Sequence, residues 1–498
     1  MTDSLKKRYA IKLLANIVTG IINAVLVAIV PKALGPIVYG QFTFLQQFFN
    51  QLVAFFDAST SIGFFTKLSA KNSRKELIKV YSFFSILLLS ILCLFVFLIK
   101  QLGYSEFFLS GIPNDYIYLG LWFGFLTWFT QVYIKISDAY ALTVSVELIK
   151  IIHKLLMLGA LLYIINYLPF DLSFYYYFHF LSLVSFIFVL SFLFCNKGIV
   201  SASVFSVKTD YKNICYEFYK FCSPLFLFNC IAISIGIFDI WLLQNTSGSI
   251  ETGFYGLAYS IAAMCFLFTS AMTPVITREF SKSFAENNLV EISRLFQRYV
   301  PMLYAIAAYF SVFIVFEAEN LLSIFTDERF KDAYFALVIL AFYPLHQTYG
   351  QINASLFFAT EETVKYRNIG LLSSLVGLVF SYLFIYKLEY GAAGFAWKMV
   401  LTQLLGVNFQ LFFNIKKLKL SFLSFLYHQI YTVIFFCIIA YVSSKVINIE
   451  SSLEINFIVT GIVYSFFGAL CIFISPSIIG VSRQQLFTTL SNTLKRKG

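Results

Sequence analysis

The sequence predicts an all-α polytopic membrane protein with about fourteen transmembrane helices, and three observations predict it. Of 498 residues, 59% are hydrophobic and 12% charged, half the charged share of an ordinary soluble domain. The apolar residues run in blocks of about twenty, the length that crosses roughly 30 Å of hydrocarbon as a helix. They lack the alternation over about ten residues that marks a barrel strand. The lysines and arginines collect in every second gap between the blocks.

The blocks place candidate spans at 9–31, 41–66, 79–102, 114–136, 145–168, 172–195, 219–244, 252–275, 298–318, 333–358, 366–387, 391–413, 427–447 and 455–476. Spans 4 and 5 divide least cleanly, because Lys135, Asp138, Glu147, Lys150, His153 and Lys154 lie close together. The first span follows Lys6-Lys7-Arg8 and runs to Val30 without a small-residue cleavage site, so it reads as an uncleaved helix. With the N-terminus inside, 29 of the 36 lysines and arginines fall in inner segments and six in outer ones, with Lys398 inside span 12. Basic segments stay cytoplasmic, so both termini are expected there, and the net charge of +11 is a topology signal rather than a nucleic-acid footprint. The largest outer loop, about 319–332, is too small to be a domain.

A repeat divides the spans. Pro36-Ile37-Val38-Tyr39-Gly40 opens span 2, and Gly253-Phe254-Tyr255-Gly256 opens span 8, with the Tyr-Gly pairs 216 residues apart. Both spans run into a basic loop. The expected architecture is two pseudo-symmetric six-helix lobes around a central cavity plus two C-terminal helices: residues 1–200, 201–420 and 421–498. Parallel repeats of this kind are a transporter arrangement.

Polar side chains inside a span are costly and usually face the bundle or a wet cavity. Span 1 places Lys12, Asn16, Thr19 and Asn23 on one face, and span 2 places Thr43, Gln46, Gln47, Asn50, Asp57 and Ser61 on another. Span 4 aligns Thr127, Thr130, Gln131 and Asp138, and span 10 aligns His346, Tyr349, Gly350 and Asn353. For a single Asn or Thr the simpler reading is interhelical hydrogen bonding. The first two stripes together favour a hydrated cavity. Asp57, Asp239 and Lys398 are ionisable residues within spans, where the simpler reading is a structural ion pair. Gly120-Leu121-Trp122-Phe123-Gly124 reads as close helix packing.

The eight cysteines lie in or beside apolar segments without a CxxC pair, which speaks against disulfides and structural zinc. There is no HExxH and no phosphate-binding Gly-Lys-Ser/Thr loop, and His153, His179, His346 and His428 are scattered. No metal, cofactor or enzymatic activity is expected.

The run Pro31-Lys32-Ala33-Leu34-Gly35-Pro36-Ile37-Val38-Tyr39-Gly40, after a polar-striped first helix, resembles the start of Wzx-type polysaccharide flippases of the multidrug/oligosaccharidyl-lipid/polysaccharide exporter superfamily. Asp57 before Gly63, and Asp239 before Gly253-Phe254-Tyr255-Gly256, resemble further parts of that family. The chain departs from it at Ser61-Ile62-Gly63-Phe64 and at Ile240, where many relatives carry a basic residue. The resemblance implies ion-coupled transfer of an undecaprenyl-diphosphate-linked oligosaccharide, an O-antigen or capsule repeat unit, from the inner to the outer leaflet of a bacterial inner membrane. Lys12, Lys67 and Arg278 are then candidates for the diphosphate. Asn16, Asn23, Gln46, Asn50, His346, Asn353 and Lys398 are candidates for the rest of the substrate. Asp57 or Asp239 would carry the coupling H+ or Na+. A polysaccharide polymerase and a chain-length regulator are the expected protein partners. The rivals are a multidrug/cation antiporter of the same superfamily, a peptidoglycan-lipid flippase and a membrane glycosyltransferase or polymerase.

Overall fold

A computed structural model describes residues 5–70, 74–140, 142–200, 209–446 and 452–481. Within them, the side chains of 5–10, 12, 13, 69, 70, 224, 225, 267, 268, 270, 271, 274, 275 and 446 are not described. The described residues are almost wholly helical and contain no strand. Among the described residues, ten helices are long and apolar enough to cross a membrane by length and composition. The helix α3 (Glu76–Gln101) shows why. Leu77, Tyr81, Ser85, Leu88, Leu92, Val96 and Ile99 are buried at steps of three and four, while Phe83, Ile86, Leu87, Leu94 and Phe97 are more than half exposed. A helix apolar on its outward face as well suits lipid and not water.

The described residues of all fourteen expected spans fall largely on helix. Spans 1 and 2 are not separated by a loop, however. They form the 53-residue helix α1 (Leu5–Asp57), broken only at Gly35, whose φ of 76° and ψ of 166° leave the helical region. Pro36 accounts for the break, because it has no N–H to donate and disfavours helical backbone at the residue before it. Span 2 continues in α2 (Thr60–Ala70). After α3 come the short α4 (Ser105–Phe108), then α5 (Asn114–Ala139), α6 (Thr143–Tyr167) and α7 (Leu172–Asn196). Spans 7 and 8 repeat the pattern of spans 1 and 2: α8 (Tyr211–Ala263) has 53 residues, is broken at Gly248 (φ 80°, ψ −177°), and is followed by α9 (Phe266–Ala285).

The remaining helices are α10 (Leu289–Phe316), α11 (Ala318–Phe325), α12 (Tyr334–Leu340), α13 (Tyr343–Ala359), α14 (Thr363–Phe380), α15 (Gly391–Leu418), α16 (Phe422–Val446) and α17 (Leu453–Ile474). Span 10 is thus split into α12 and α13, and α14 passes into a π-helix at Ser381–Lys387. The chain forms two compact units, residues 1–256 and 257–498, with the boundary inside α8.

In the first unit, Gly120 and Gly124 of α5 lie against Phe49 of α1. A Cβ on either would come within 2.9 Å of that side chain, so the GxxxG is a packing motif. The Tyr-Gly repeats also meet in this unit. A Cβ on Gly40 would stand 1.7 Å from the Ser249 carbonyl oxygen, and one on Gly253 would stand 2.4 Å from that of Pro36. A Cβ on Gly256 would stand 2.4 Å from Thr43 Oγ1. Each of these partners is related to the other by an offset of 213 residues: 36 to 249, 40 to 253 and 43 to 256. The kinks at Gly35 and Gly248 share that offset. The structural repeat is therefore three residues out of step with the Tyr-Gly match, and its two copies face each other across a local two-fold.

In the second unit, α10 runs through the core, where Phe296, Leu303, Tyr304 and Ala307 are wholly or almost wholly buried. The C-terminal pair α16 and α17 closes on it. The Tyr464 ring stacks on Tyr309 at 4.8 Å, and its hydroxyl donates to the Tyr309 carbonyl at 2.9 Å.

Candidate functional site

Asp57 ends α1 at a sharp break. Ala58 and Ser59 follow with φ of 47° and 65°, left-handed values that strain non-glycine residues. Asp57 stabilises the turn by capping the next helix. Its Oδ1 accepts from the Ser61 N–H at 3.1 Å and from Thr60 Oγ1 at 2.9 Å. Its Oδ2 accepts from Ser61 Oγ at 2.8 Å. Tyr81 of α3 adds a bond to Oδ1 at 3.0 Å. Lys135 of α5 donates to Ser61 Oγ at 2.7 Å, so an ammonium stands one hydroxyl away from the carboxylate. Asn229 of α8 donates to Ser59 Oγ at 2.7 Å. The sequence singles out Asp57 and Ser61. Tyr81 and Lys135 come from other helices, and nothing local to them announces the contact.

Two turns further on, Lys67 does not stand open to an anion. Its Nζ lies 3.1 Å from Glu217 Oε2 at the start of α8. Arg74 reaches the same oxygen at 2.9 Å and also pairs with Glu76 at 3.0 Å. The Arg74 guanidinium, and after it the Lys67 ammonium, hold the Glu217 carboxyl below the usual carboxylate range, outweighing an opposing contribution from burial. The same carboxylate raises the Arg74 pKa. Glu217 and Arg74 are absent from the candidates read in the sequence, because charged residues at span ends are too common to stand out.

Along α1 the polar stripes divide. Thr43 is buried against Gly256. Asn16, Gln46, Gln47 and Asn50 are half-buried, and among the described residues their side chains have no hydrogen-bond partner. Half-buried amides without protein partners are satisfied by water or by ligand. Asn23 is exposed and accepts from Lys154 Nζ of α6 at 3.3 Å. The side chain of Lys12 lies outside the described residues. Lys150 and Lys154, counted by charge with the inner segments, lie inside α6, which begins at Thr143.

Asp239 is 2% exposed in α8. Two residues on, Trp241 Nε1 donates to the Phe107 carbonyl at 2.7 Å. Gln244 Nε2 donates to the Ser110 carbonyl at 3.0 Å and to Ser249 Oγ at 2.9 Å. The 105–113 connection thereby anchors this end of α8 beside the Gly248 kink.

In the second unit, the polar residues of span 10 mostly join helices. Thr348 donates to Thr269, Thr273 to Gln351 and Thr277 to Ser355, which zips α9 to α13. Asn353 is fully buried, and its Oδ1 accepts from Asn414 of α15 at 2.9 Å. Its amide donates to the Tyr349 carbonyl at 3.1 Å. Asn353 is thus spent on packing. His346 is buried on the same helix. Arg278 is exposed on α9. Lys398 is half-buried, with its ammonium 5.7 Å from the Phe395 ring centre.

The fold is similar to that of solved membrane transporters, several of them described as MOP superfamily members. The lipid II flippase MurJ in an inward closed conformation aligns with a TM-score of 0.68 and 15% identity, over 93% of this chain and 98% of that one. An inward-facing multidrug resistance MATE family transporter aligns at 0.62 and 16%, over 84% and 95%. A MOP superfamily transporter from Pyrococcus furiosus, described as having a binding pocket of reverse polarity, aligns at 0.54 and 18%, over 83% and 94%. No family model and no curated protein matches the sequence. At such identities the likeness is one of fold.

Proposed function

We propose that this chain is a flippase that carries undecaprenyl-diphosphate-linked oligosaccharide from the cytoplasmic to the outer leaflet of a bacterial inner membrane. The observation that carries this reading is the set of half-buried amides on the two halves of α1, Asn16 before the Gly35 kink and Gln46, Gln47 and Asn50 after it, which have no hydrogen-bond partner among the described residues. The task explains these amides. A diphosphate and sugar hydroxyls cannot cross hydrocarbon unaided, since burying unpaired charge and unbonded hydroxyls is prohibitive. Uncharged amides can replace water around hydroxyls and release them again. The full-length likeness of fold to a lipid II flippase supports a lipid-linked cargo.

The isoprenoid tail stays in lipid while the headgroup crosses. Lys12, Lys67 and Arg278 receive the diphosphate, with Lys67 freed from Glu217 when it does so. Asn23, His346 and Lys398 meet the substrate further along. Asp57 or Asp239 takes up H+ or Na+ and couples the cycle to an ion gradient. A polymerase and a chain-length regulator receive the product.

Proteoliposomes loaded with fluorescent undecaprenyl-diphosphate oligosaccharide test the reading. Protein-dependent appearance of the label to an outer-face quencher is expected under an imposed ion gradient. Extrusion of a lipophilic cationic dye in its place would favour the second reading, a multidrug/cation antiporter, which the likeness to MATE transporters supports. If Asp57→Asn and Asp239→Asn both keep full gradient-driven transfer, the coupling assignment is wrong.

A further inference from the structure

We propose that Lys154 of α6 is a further cation, in addition to Lys12, Lys67 and Arg278, that holds the phosphate of an anionic amphiphile inside the first unit. The inference deepens the flippase reading and rests on it for the identity of the amphiphile. Lys154 is one residue short of the midpoint of α6 (Thr143–Tyr167), about 16 Å along the helix axis from its start. A cation at that depth in a span is normally paired.

The charges around it do not balance. Glu147, the carboxylate on the same helix, is 3% exposed, and its Oε2 is taken by Lys150 Nζ at 3.0 Å. His153 Nε2 is engaged with Ser185 Oγ of α7 at 2.9 Å. Among the described residues Lys154 has one hydrogen-bond partner, the neutral Asn23 Oδ1 at 3.3 Å. Among the described residues no carboxylate lies within ion-pair distance of its ammonium. The cluster of Glu147, Lys150 and Lys154 therefore carries one surplus positive charge in the middle of a span.

What faces that charge points to an anion. Asn23 presents Lys154 to the α1 face that also carries Thr19 and Asn16 at helical spacing. Thr19 Oγ1 is buried without a hydrogen-bond partner, and Asn16 is half-buried with none among the described residues. One ammonium with donors to spare, one hydroxyl and one amide are what a phosphate oxygen cluster requires. A structural role for Lys154 would be completed by a carboxylate. Here the complement is absent among the described residues and the unfilled donors remain.

The test uses the full chain in nanodiscs of phosphatidylcholine, with undecaprenyl diphosphate as the probe and undecaprenol as the phosphate-free control. Wild type is expected to bind the diphosphate, and Lys154→Gln to weaken binding about tenfold, the loss of one charge-assisted hydrogen bond. Lys154→Arg should retain it. Asn23→Asp supplies a carboxylate at the position of the present acceptor and should abolish binding while keeping the thermal stability of wild type, which separates loss of the site from misfolding.

Competition by inorganic pyrophosphate would extend the site to free phosphate. Loss of binding in Lys154→Gln without such competition would confine it to the lipid headgroup. Either supports the assignment. Wild-type affinity in both Lys154→Gln and Asn23→Asp overturns it, as does equal binding of undecaprenol. If the diphosphate binds through Lys154 while liposomes transfer no oligosaccharide, the flippase reading falls and the phosphate site stands.

Discussion

Asp57 has two separable properties, its geometry and its charge. Its carboxylate accepts four hydrogen bonds at the break between α1 and α2. Asp57→Ala leaves the Ser61 N–H without its side-chain acceptor, leaves the Tyr81 hydroxyl only Thr60 Oγ1, and removes the cap. We expect a loss of about 2 kcal/mol, read as a lower melting temperature in detergent. Asp57→Asn keeps one acceptor oxygen and should cost about half as much, so it isolates the charge. Tyr81→Phe deletes the bond to Asp57 and the one shared with Thr60 Oγ1 at 3.1 Å, and should cost about 1 kcal/mol. If Tyr81→Phe is as damaging as Asp57→Ala, the carboxylate is not the centre of the network. Asp57 is legible in the sequence because an acid within a span is rare. Tyr81 and Lys135 are not, because tyrosine is abundant throughout the chain and Lys135 reads as one more inner lysine. Asn353 shows the opposite case. Its place on a polar stripe is visible, but Asn414, which donates to its Oδ1, is 61 residues away.

At the level of elements, the paired kinks depend on glycine. A Cβ at Gly40 or Gly253 would strike the opposing backbone and not a side chain that could turn aside. Gly40→Ala and Gly253→Ala should each destabilise by about 3 kcal/mol, the upper range for overpacking. Gly35→Ala should cost about 1 kcal/mol through its positive φ alone. Melting temperatures of the three variants check the order. If Gly40→Ala is the mildest, the close seam is not as described. The Tyr-Gly match reveals that a repeat exists but reads its register three residues out, because similar side chains catch the eye while the seam follows the glycines. Gly248 is inconspicuous in sequence, sitting between two serines without the proline that marks Gly35.

Another element-level device is the pair of cations on Glu217. The folded pKa of Glu217 lies below the ordinary glutamate value of about 4.3. The pairing therefore stabilises fully above that ordinary value and is lost as pH falls through the lower, folded value. At neutral pH the contact between α2 and α8 should persist, and Glu217→Gln should loosen it. Spin labels on the two helices report this as a broader distance distribution in the variant, insensitive to pH between about 6 and 8. A wild-type distribution that broadens as pH falls from 8 to 6 would contradict the assignment of Glu217.

For the whole molecule, the apolar blocks make the helices legible, and the polar interior is where legibility ends. The described residues of every expected span are largely helical, yet which helices touch follows from packing that no single stretch encodes. Membrane orientation, by contrast, is a property of the whole chain that charge alone predicts. Cys195, at the end of α7, and Cys215, near the start of α8, are both exposed and flank Lys197 and Lys212. The excess of lysine and arginine in the inner segments predicts that this connection is cytoplasmic. In a variant that keeps only these two cysteines and carries serine at Cys93, Cys222, Cys230, Cys265, Cys437 and Cys471, a membrane-impermeant maleimide should leave intact spheroplasts unlabelled. The same reagent should label inverted vesicles at both positions. Labelling from the spheroplast exterior would reverse the orientation of all fourteen spans together, since each sign in the alternation depends on its neighbour. It would also place Lys67, Arg74 and Glu217 at the outer mouth, where they could not receive a cargo arriving from the cytoplasm.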